Sequence, residues 1–265
     1  MNWKIQFDHN RMNLHIETHG SGKDLVLLHG WGMHGGVWDG VREQLAQNFR
    51  VHVVDLPGYG ESPACTPYTL PHVAEIVAQA FANKVHVCGW SLGGQVALAW
   101  ALQAPEQVAR LVLVGTTPCF TTREGWTNGI GGEVFDTFSH TLQQDYEATL
   151  KRFLSLQARS GEDARQVMAQ LRASLFARGR PTIEVLQAGL RILQGSDLRE
   201  QIASIAQPAL LIHGDHDTLA PVEAARWLAM HMPQARLEVV HGSAHAPFLS
   251  HRQDFVKLLV DFLNG

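Results

Sequence analysis

The residues best suited to chemistry form three short groups. Ser91 lies in Gly89-Trp90-Ser91-Leu92-Gly93, two aspartates lie in His213-Gly214-Asp215-His216-Asp217, and His245 lies in His241-Gly242-Ser243-Ala244-His245. A serine hydroxyl is a poor nucleophile at neutral pH. It becomes effective when an imidazole removes its proton and a carboxylate orients that imidazole. The spacing G-x-S-x-G suits a serine on a strained strand-to-helix turn, where side chains two residues to either side would collide. The chain order of serine, acid and histidine is the one expected when the partners follow later strands of the same sheet. The chemistry implied is attack on a carbonyl carbon through an acyl-enzyme.

Within the two later groups the residues differ in position. His241 continues an apolar strand pattern, whereas His245 falls in the loop before a helical stretch, so His245 is the expected base. Asp215 and Asp217 both follow a strand, and Asp217 lies further out, before Pro221. Asp55 also ends a strand, but it precedes Ser91 and opens the turn-rich Asp55-Leu56-Pro57-Gly58, so it is expected to be structural. A tetrahedral intermediate needs donors for its oxyanion. The glycine-rich His29-Gly30-Trp31-Gly32 offers the amide of Trp31, and the start of the helix after Ser91 offers that of Leu92. Among the 15 histidines, His213, His216, His241, His245 and His251 invite a zinc reading. None has H-E-x-x-H or H-x-H-x-D-H spacing, so no metal is expected, and the acyl-enzyme chemistry needs no other cofactor.

The elements that must position these groups are readable from hydrophobic pattern. Apolar runs at 25–28, 51–54, 85–88, 111–114, 209–212 and 237–240 are too short for helices and nearly continuous, as in strands buried on both faces of a parallel sheet. Helical periodicity separates them over 37–47, 70–82, 92–103, 222–231 and 253–262. Strand–helix alternation predicts a doubly wound α/β sheet. Two alternating segments, 4–9 and 14–18, predict an opening hairpin. Between 119 and 198 the pattern is helical with no strand candidate. The expected organisation is therefore a core of 1–119 and 198–265 with a helical lid of 120–197 over the carboxyl ends of the strands.

The chain has 265 residues, 17% of them charged, and a formal net charge of −4. That composition excludes global disorder and gives no sign of a nucleic-acid or membrane partner. The three cysteines, Cys65, Cys88 and Cys119, show no CxxC spacing, and Cys88 sits in an apolar run as a structural thiol. No positively charged and then apolar leader opens the sequence, and no apolar run is long enough to span a bilayer. A cytoplasmic monomer is the expectation.

Taken together, HGWG at 29–32, DLPGYGES at 55–62, GWSLGG at 89–94, HGDHDTLAP at 213–221 and SAHAPF at 243–248 resemble the α/β-hydrolase family along essentially the whole chain. The family pattern G-x-x-D-x-x-x-P selects Asp217 as the acid. Within the family the chain is most similar to the carboxylesterases of biotin synthesis that act on pimeloyl-acyl-carrier protein methyl ester. Trp31, Trp90-Ser91-Leu92-Gly93-Gly94, PCF at 118–120, Trp126, RFLSLQ at 152–157 and AHAPFLSH at 244–251 carry that resemblance. It implies that Trp31, Leu92 and Phe153 line an acyl channel. It further implies that Arg152, Arg165 and Arg172 meet an acyl-carrier protein bearing the substrate. Ala148 and Ala169 stand where it implies arginines. An esterase or C–C hydrolase for a free small molecule, and a non-catalytic binding protein on the same scaffold, remain alternatives.

Charge distribution bears on the partner. From Ala148 to Arg180 there are seven basic residues, Lys151, Arg152, Arg159, Arg165, Arg172, Arg178 and Arg180, against Glu162 and Asp163. The rest of the chain is correspondingly acidic. Arg152 with Arg159, and Arg165 with Arg172, have the spacing to share a helix face, and Ser160 with Asp163 has that of a helix cap. A basic lid over a hydrolase site suits an acidic carrier.

Overall fold

The computed structural model describes residues 12–157 and 164–265. Seven strands form one sheet: β1 (Ile16–His19), β2 (Lys23–Leu28), β3 (Phe49–Val54), β4 (Val85–Trp90), β5 (Val108–Val114), β6 (Ala209–Gly214) and β7 (Ala235–Val240). Their spatial order is β1-β3-β2-β4-β5-β6-β7, and every neighbouring pair is parallel except β1 with β3. The doubly wound α/β fold expected from the apolar runs is the fold observed.

The helices of the sheet's two faces are α1 (Asp39–Leu45), α2 (Leu70–Gln79), α3 (Leu92–Gln103), α8 (Val222–His231), α9 (Pro247–Ser250) and α10 (Arg252–Asn264). Strand β4 is buried at all six positions, because β2 and β5 flank it and helices cover both faces. Helix α3 is buried from Leu92 to Ala101, so its sequence is apolar all round instead of striped. Because β2 and β4–β7 run parallel, the segments following them emerge at one edge of the sheet. Residues 29–32, Ser91, Asp217 and His245 are all in such segments. This is where an open α/β sheet places its ligand.

Between β5 and β6 the chain forms α4 (Gly132–Gln144), α5 (Tyr146–Gln157), α6 (Ala164–Ser174) and α7 (Ile183–Gly195). Helix α5 buries Leu150, Phe153 and Leu154, the i, i+3, i+4 stripe of an amphipathic helix, while Lys151 and Arg152 face solvent. Helix α7 starts at Thr182, whose side-chain oxygen accepts the Val185 amide at 3.3 Å, and it buries Leu186, Leu190 and Leu193. Each such leucine removed from water contributes about 2 kcal/mol to holding the helices down. A short turn precedes the helices, with bridges joining Thr121 to Ile130 and Arg123 to Trp126.

One expected feature is different. Segment 14–18 does become a strand, but β1 pairs antiparallel with β3 rather than folding back as a hairpin arm, and its proposed partner, 4–9, lies outside the described residues. Arg159, Ser160, Glu162 and Asp163, and with them the expected cap, also lie outside the described residues.

Candidate active site

Ser91 directly follows β4 and caps α3 with φ 55° and ψ −117°, and it is the one non-glycine residue with positive φ among the described residues. Such a backbone costs a few kcal/mol and persists only where the surroundings impose it. Here β4 must turn at once into α3. The Ser91 amide donates to the Val114 carbonyl at 3.0 Å, and the Ser91 carbonyl accepts from Thr116 Oγ1 at 2.8 Å. Gly93 is tight against the neighbouring strand end: a Cβ there would sit 2.5 Å from the Leu28 carbonyl oxygen and 2.6 Å from that of His29. The α3 helix can therefore start close enough to expose Ser91 to the groups that follow β2.

His245 and Asp217 meet as the motifs imply. His245 Nδ1 donates to Asp217 Oδ2 at 2.8 Å, and both side chains are buried. The other carboxylate oxygen, Oδ1, accepts the amides of Leu219 and Ala220, each at 2.9 Å. Burial pushes the Asp217 carboxyl up. The charge and hydrogen bond of His245, the neighbouring His213 ring and the Ala220 amide outweigh burial and hold it below the usual carboxylate range. His245 Nε2 is buried without a hydrogen-bond partner among the described residues, an open acceptor position on the ring. Trp90, next to the serine, donates Nε1–H to the His245 carbonyl at 2.8 Å, and its ring lies 5.6 Å from the imidazole. One tryptophan thus ties the serine's turn to the histidine's loop.

The loop after β2 runs beside Ser91. A Cβ on Gly30 would come within 3.2 Å of Ser91 Cβ, which places the following residue, Trp31, next to the serine. His29 braces this loop: its Nδ1–H donates to the Gly30 carbonyl at 2.8 Å, and its Nε2 accepts the Leu56 amide at 3.0 Å. Burial lowers the His29 pKa to about 4, so the ring is neutral at pH 7 and keeps this tautomer. Leu92 is the first residue of α3, and its amide has no acceptor within the helix. The Trp31 amide follows Gly30, which packs on Ser91, and the Leu92 amide follows Ser91 directly.

The three residues expected to line an acyl channel are all buried, and two of them touch. Phe153 of α5 meets Trp31 edge-on at 4.6 Å, and Phe138 of α4 continues the aromatic row at 5.5 Å from Phe153. Trp31 Nε1 donates to the Leu186 carbonyl of α7 at 2.8 Å, fastening this row to the loop after β2. On the far side of Phe138, α4 and α5 border a cleft of about 250 Å³ lined by Glu133, Val134, Thr137, Phe138, Arg152 and Leu156.

The basic excess between 148 and 180 resolves into two groups. Glu147, one residue before that window, pairs with Lys151 at 3.3 Å and with Arg180 at 2.6 Å. Arg178 is drawn inward to Glu17 at 2.8 Å and Asp55 at 3.7 Å. Arg152, Arg165 and Arg172 are exposed and form no ion pair among the described residues. Asp55 has a structural role: fully buried, its two oxygens accept the amides of Gly35 and Glu61. Asp215 binds the Gly242 amide and the exposed His241, linking the ends of β6 and β7.

Sequence reasoning missed two participants. Trp90 entered only as a mark of resemblance, and His213 only among histidines weighed for metal. The partners of both are backbone carbonyls, of His245 and Ala220, which have no sequence signature.

A strained serine on a strand-to-helix turn, with a buried Asp–His pair following later parallel strands, defines a class, the α/β hydrolases. Residues 24–252 match the alpha/beta hydrolase fold family, and the chain belongs to it. It is 51% identical over 244 residues to the pimeloyl-[acyl-carrier protein] methyl ester esterase of Nitrosomonas europaea, covering 92% of this chain and 97% of that one. The esterase of the same name from Chromobacterium violaceum is 44% identical over 252 residues, covering 95% and 98%. Among solved structures, an esterase from Exiguobacterium antarcticum superposes with a TM-score of 0.85 at 27% identity, over 96% of each chain.

Proposed function

We propose that this chain is a serine carboxylesterase that hydrolyses the methyl ester of pimeloyl-acyl-carrier protein, giving pimeloyl-acyl-carrier protein and methanol in biotin biosynthesis. The observation that carries the chemistry is the buried His245–Asp217 pair, whose Nε2 is open and whose loop Trp90 ties to the strained Ser91 turn. The substrate assignment is supported by the near-full-length likeness to esterases of that name.

In this reading His245 Nε2 takes the Ser91 proton as Oγ attacks the ester carbonyl carbon. The Trp31 and Leu92 amides hold the oxyanion, in a site where such donors act without reorganising. The intermediate collapses, His245 gives its proton to the departing methoxide, and methanol leaves. A water, deprotonated by His245, then attacks the acyl-enzyme, and the free acid departs as Ser91 is restored. Asp217 stays ionised throughout and stabilises the imidazolium, and no metal or organic cofactor is required. Helices α4–α7 act as the lid, with Trp31, Leu92 and Phe153 along the acyl chain. Arg152, Arg165 and Arg172 face the acidic carrier.

The test compares hydrolysis of the carrier-bound and free methyl esters across a salt series. We expect the carrier-bound ester to be preferred by about 10-fold or more at low salt, with the preference shrinking as salt screens the arginines. Changing Arg152, Arg165 and Arg172 to Glu should abolish the preference while leaving the free ester unaffected. Ser91→Ala should remove turnover of both, a loss on the order of 10⁶-fold. Equal rates on both esters, insensitive to the arginine changes, would instead establish a free small-molecule ester as the natural substrate.

A further inference from the structure

His213 ends β6 inside the site, yet the mechanism above gives it no task. It is 1% exposed, and its Nε2 lies 2.6 Å from the Ala220 carbonyl oxygen. A carbonyl only accepts, so Nε2 carries the proton and donates it there. The same Nε2 is 3.6 Å from Asp217 Oδ2, the oxygen that receives His245 Nδ1–H. Ala220 in turn donates its amide to Asp217 Oδ1 at 2.9 Å, beside that of Leu219. A closed circuit results: the imidazole of His213 grips the carbonyl of the peptide unit whose residue clamps the carboxylate, and the carboxylate aims the base.

We infer that His213 is a positioning residue for the hydrolytic reaction, bracing the 217–220 turn so that Asp217 presents Oδ2 to His245. The inference rests on the reading of Ser91, His245 and Asp217 as the triad. Three titratable groups act on His213: Asp217 from the loop after β6, His245 from the loop before α9, and Glu223 from α8. Burial lowers its pKa and outweighs the pull of Asp217, so the ring is neutral at pH 7 and does not compete with His245 for the carboxylate as a second cation. A neutral Nε2–H at this distance contributes a dipole toward Asp217 while leaving the full negative charge available to the imidazolium.

The experiment measures kcat/KM against pH on a small p-nitrophenyl ester, with melting curves, for the parent chain, His213→Gln and His213→Phe. Glutamine retains an N–H able to reach the Ala220 carbonyl, whereas phenylalanine fills the site without a donor. We expect His213→Phe to lose about 10²-fold in kcat, the scale of a misplacement of about 1 Å. Its acid limb should shift to lower pH, because His245 loses part of the carboxylate's support for its charged form. His213→Gln should recover most of kcat and restore the parent limb. An acid limb unmoved in His213→Phe, with loss no larger than its melting curve explains, would overturn the inference. If His213→Phe does not fold, the result rests on His213→Gln: a parent-like limb supports the inference and a displaced one overturns it. A parent chain inactive on the ester and indifferent to Ser91→Ala would instead refute the underlying triad.

Discussion

The two oxygens of Asp217 have separate tasks, and this separation makes the residue hard to replace. Oδ1 is held by two amides of its own loop, and Oδ2 is left for His245 Nδ1–H. In Asp217→Asn, the amide nitrogen has an acceptor only if it faces His245, which forces the imidazole into the tautomer with Nε2 protonated. The hydroxyl of Ser91 then has no base, and kcat should fall about 10⁴-fold with little change in melting temperature. A loss below about tenfold in steady-state assays would contradict this. The residue scale is also where the sequence was most and least legible. Ser91 and His245 stand out because glycine spacing and loop position mark them. Asp215 and Asp217 are two residues apart on one loop, and only the family pattern separates them. The structure gives the physical reason: Asp215 turns outward to His241 and the Gly242 amide, and Asp217 turns inward.

At the scale of elements, the strand–helix alternation was readable because a buried parallel strand and an amphipathic helix leave different hydrophobic periods. All six apolar runs became strands, most extending by about two residues at one end into less apolar sequence. Pairing was less legible. Alternation in 14–18 tells which side chains share a face, whereas the choice of β3 as partner is made by backbone groups common to every residue. The turn from β4 to α3 is where local sequence and packing are most tightly coupled. Gly93→Ala would drive a methyl into the Leu28 and His29 carbonyls, so α3 must retreat from β2. We expect a loss of about 3 kcal/mol in chemical denaturation. The surviving folded protein should be depleted in kcat, since the retreat separates Leu92 from Trp31. Parent-like stability and turnover would show that α3 does not need this close approach to β2.

For the molecule as a whole, net charge proved less informative than its placement. The acidic total hides Arg152 on α5 and Arg165 and Arg172 on α6, which remain unpaired among the described residues, while Lys151, Arg178 and Arg180 are neutralised by Glu147, Glu17 and Asp55. Sequence windows count charges, but only packing shows which of them cancel. Buried histidines set a global property as well. His29 and His86 are each lowered to about 4 from an ordinary 6.5, His29 by burial, and His86 by burial together with Lys23 and Arg110. Between those values the unfolded chain binds protons that the folded chain refuses, so stability must fall as pH drops from 6.5 toward 4. The fully buried His29 ring contributes up to roughly 1.4 kcal/mol per pH unit in that window, and His86, less deeply buried, contributes less. Urea midpoints measured across it should decline steadily, and His86→Gln should reduce the slope. A flat profile would mean that these rings protonate without unfolding.

The helices between β5 and β6 leave and rejoin the sheet at nearly one point, where the Leu198 amide donates to the Pro118 carbonyl at 3.0 Å. Some eighty residues are therefore a single excursion whose two ends are already fastened together, and the closure entropy depends only weakly on how long the excursion is. Such a junction lets descent with modification treat the excursion as a cassette. Its length and sequence can drift, or be replaced by a relative's, while the sheet keeps its own registration and the serine its own turn. The two parts still meet at several points, as where Trp31 reaches across to Leu186 and Phe153 and where Arg178 reaches Glu17.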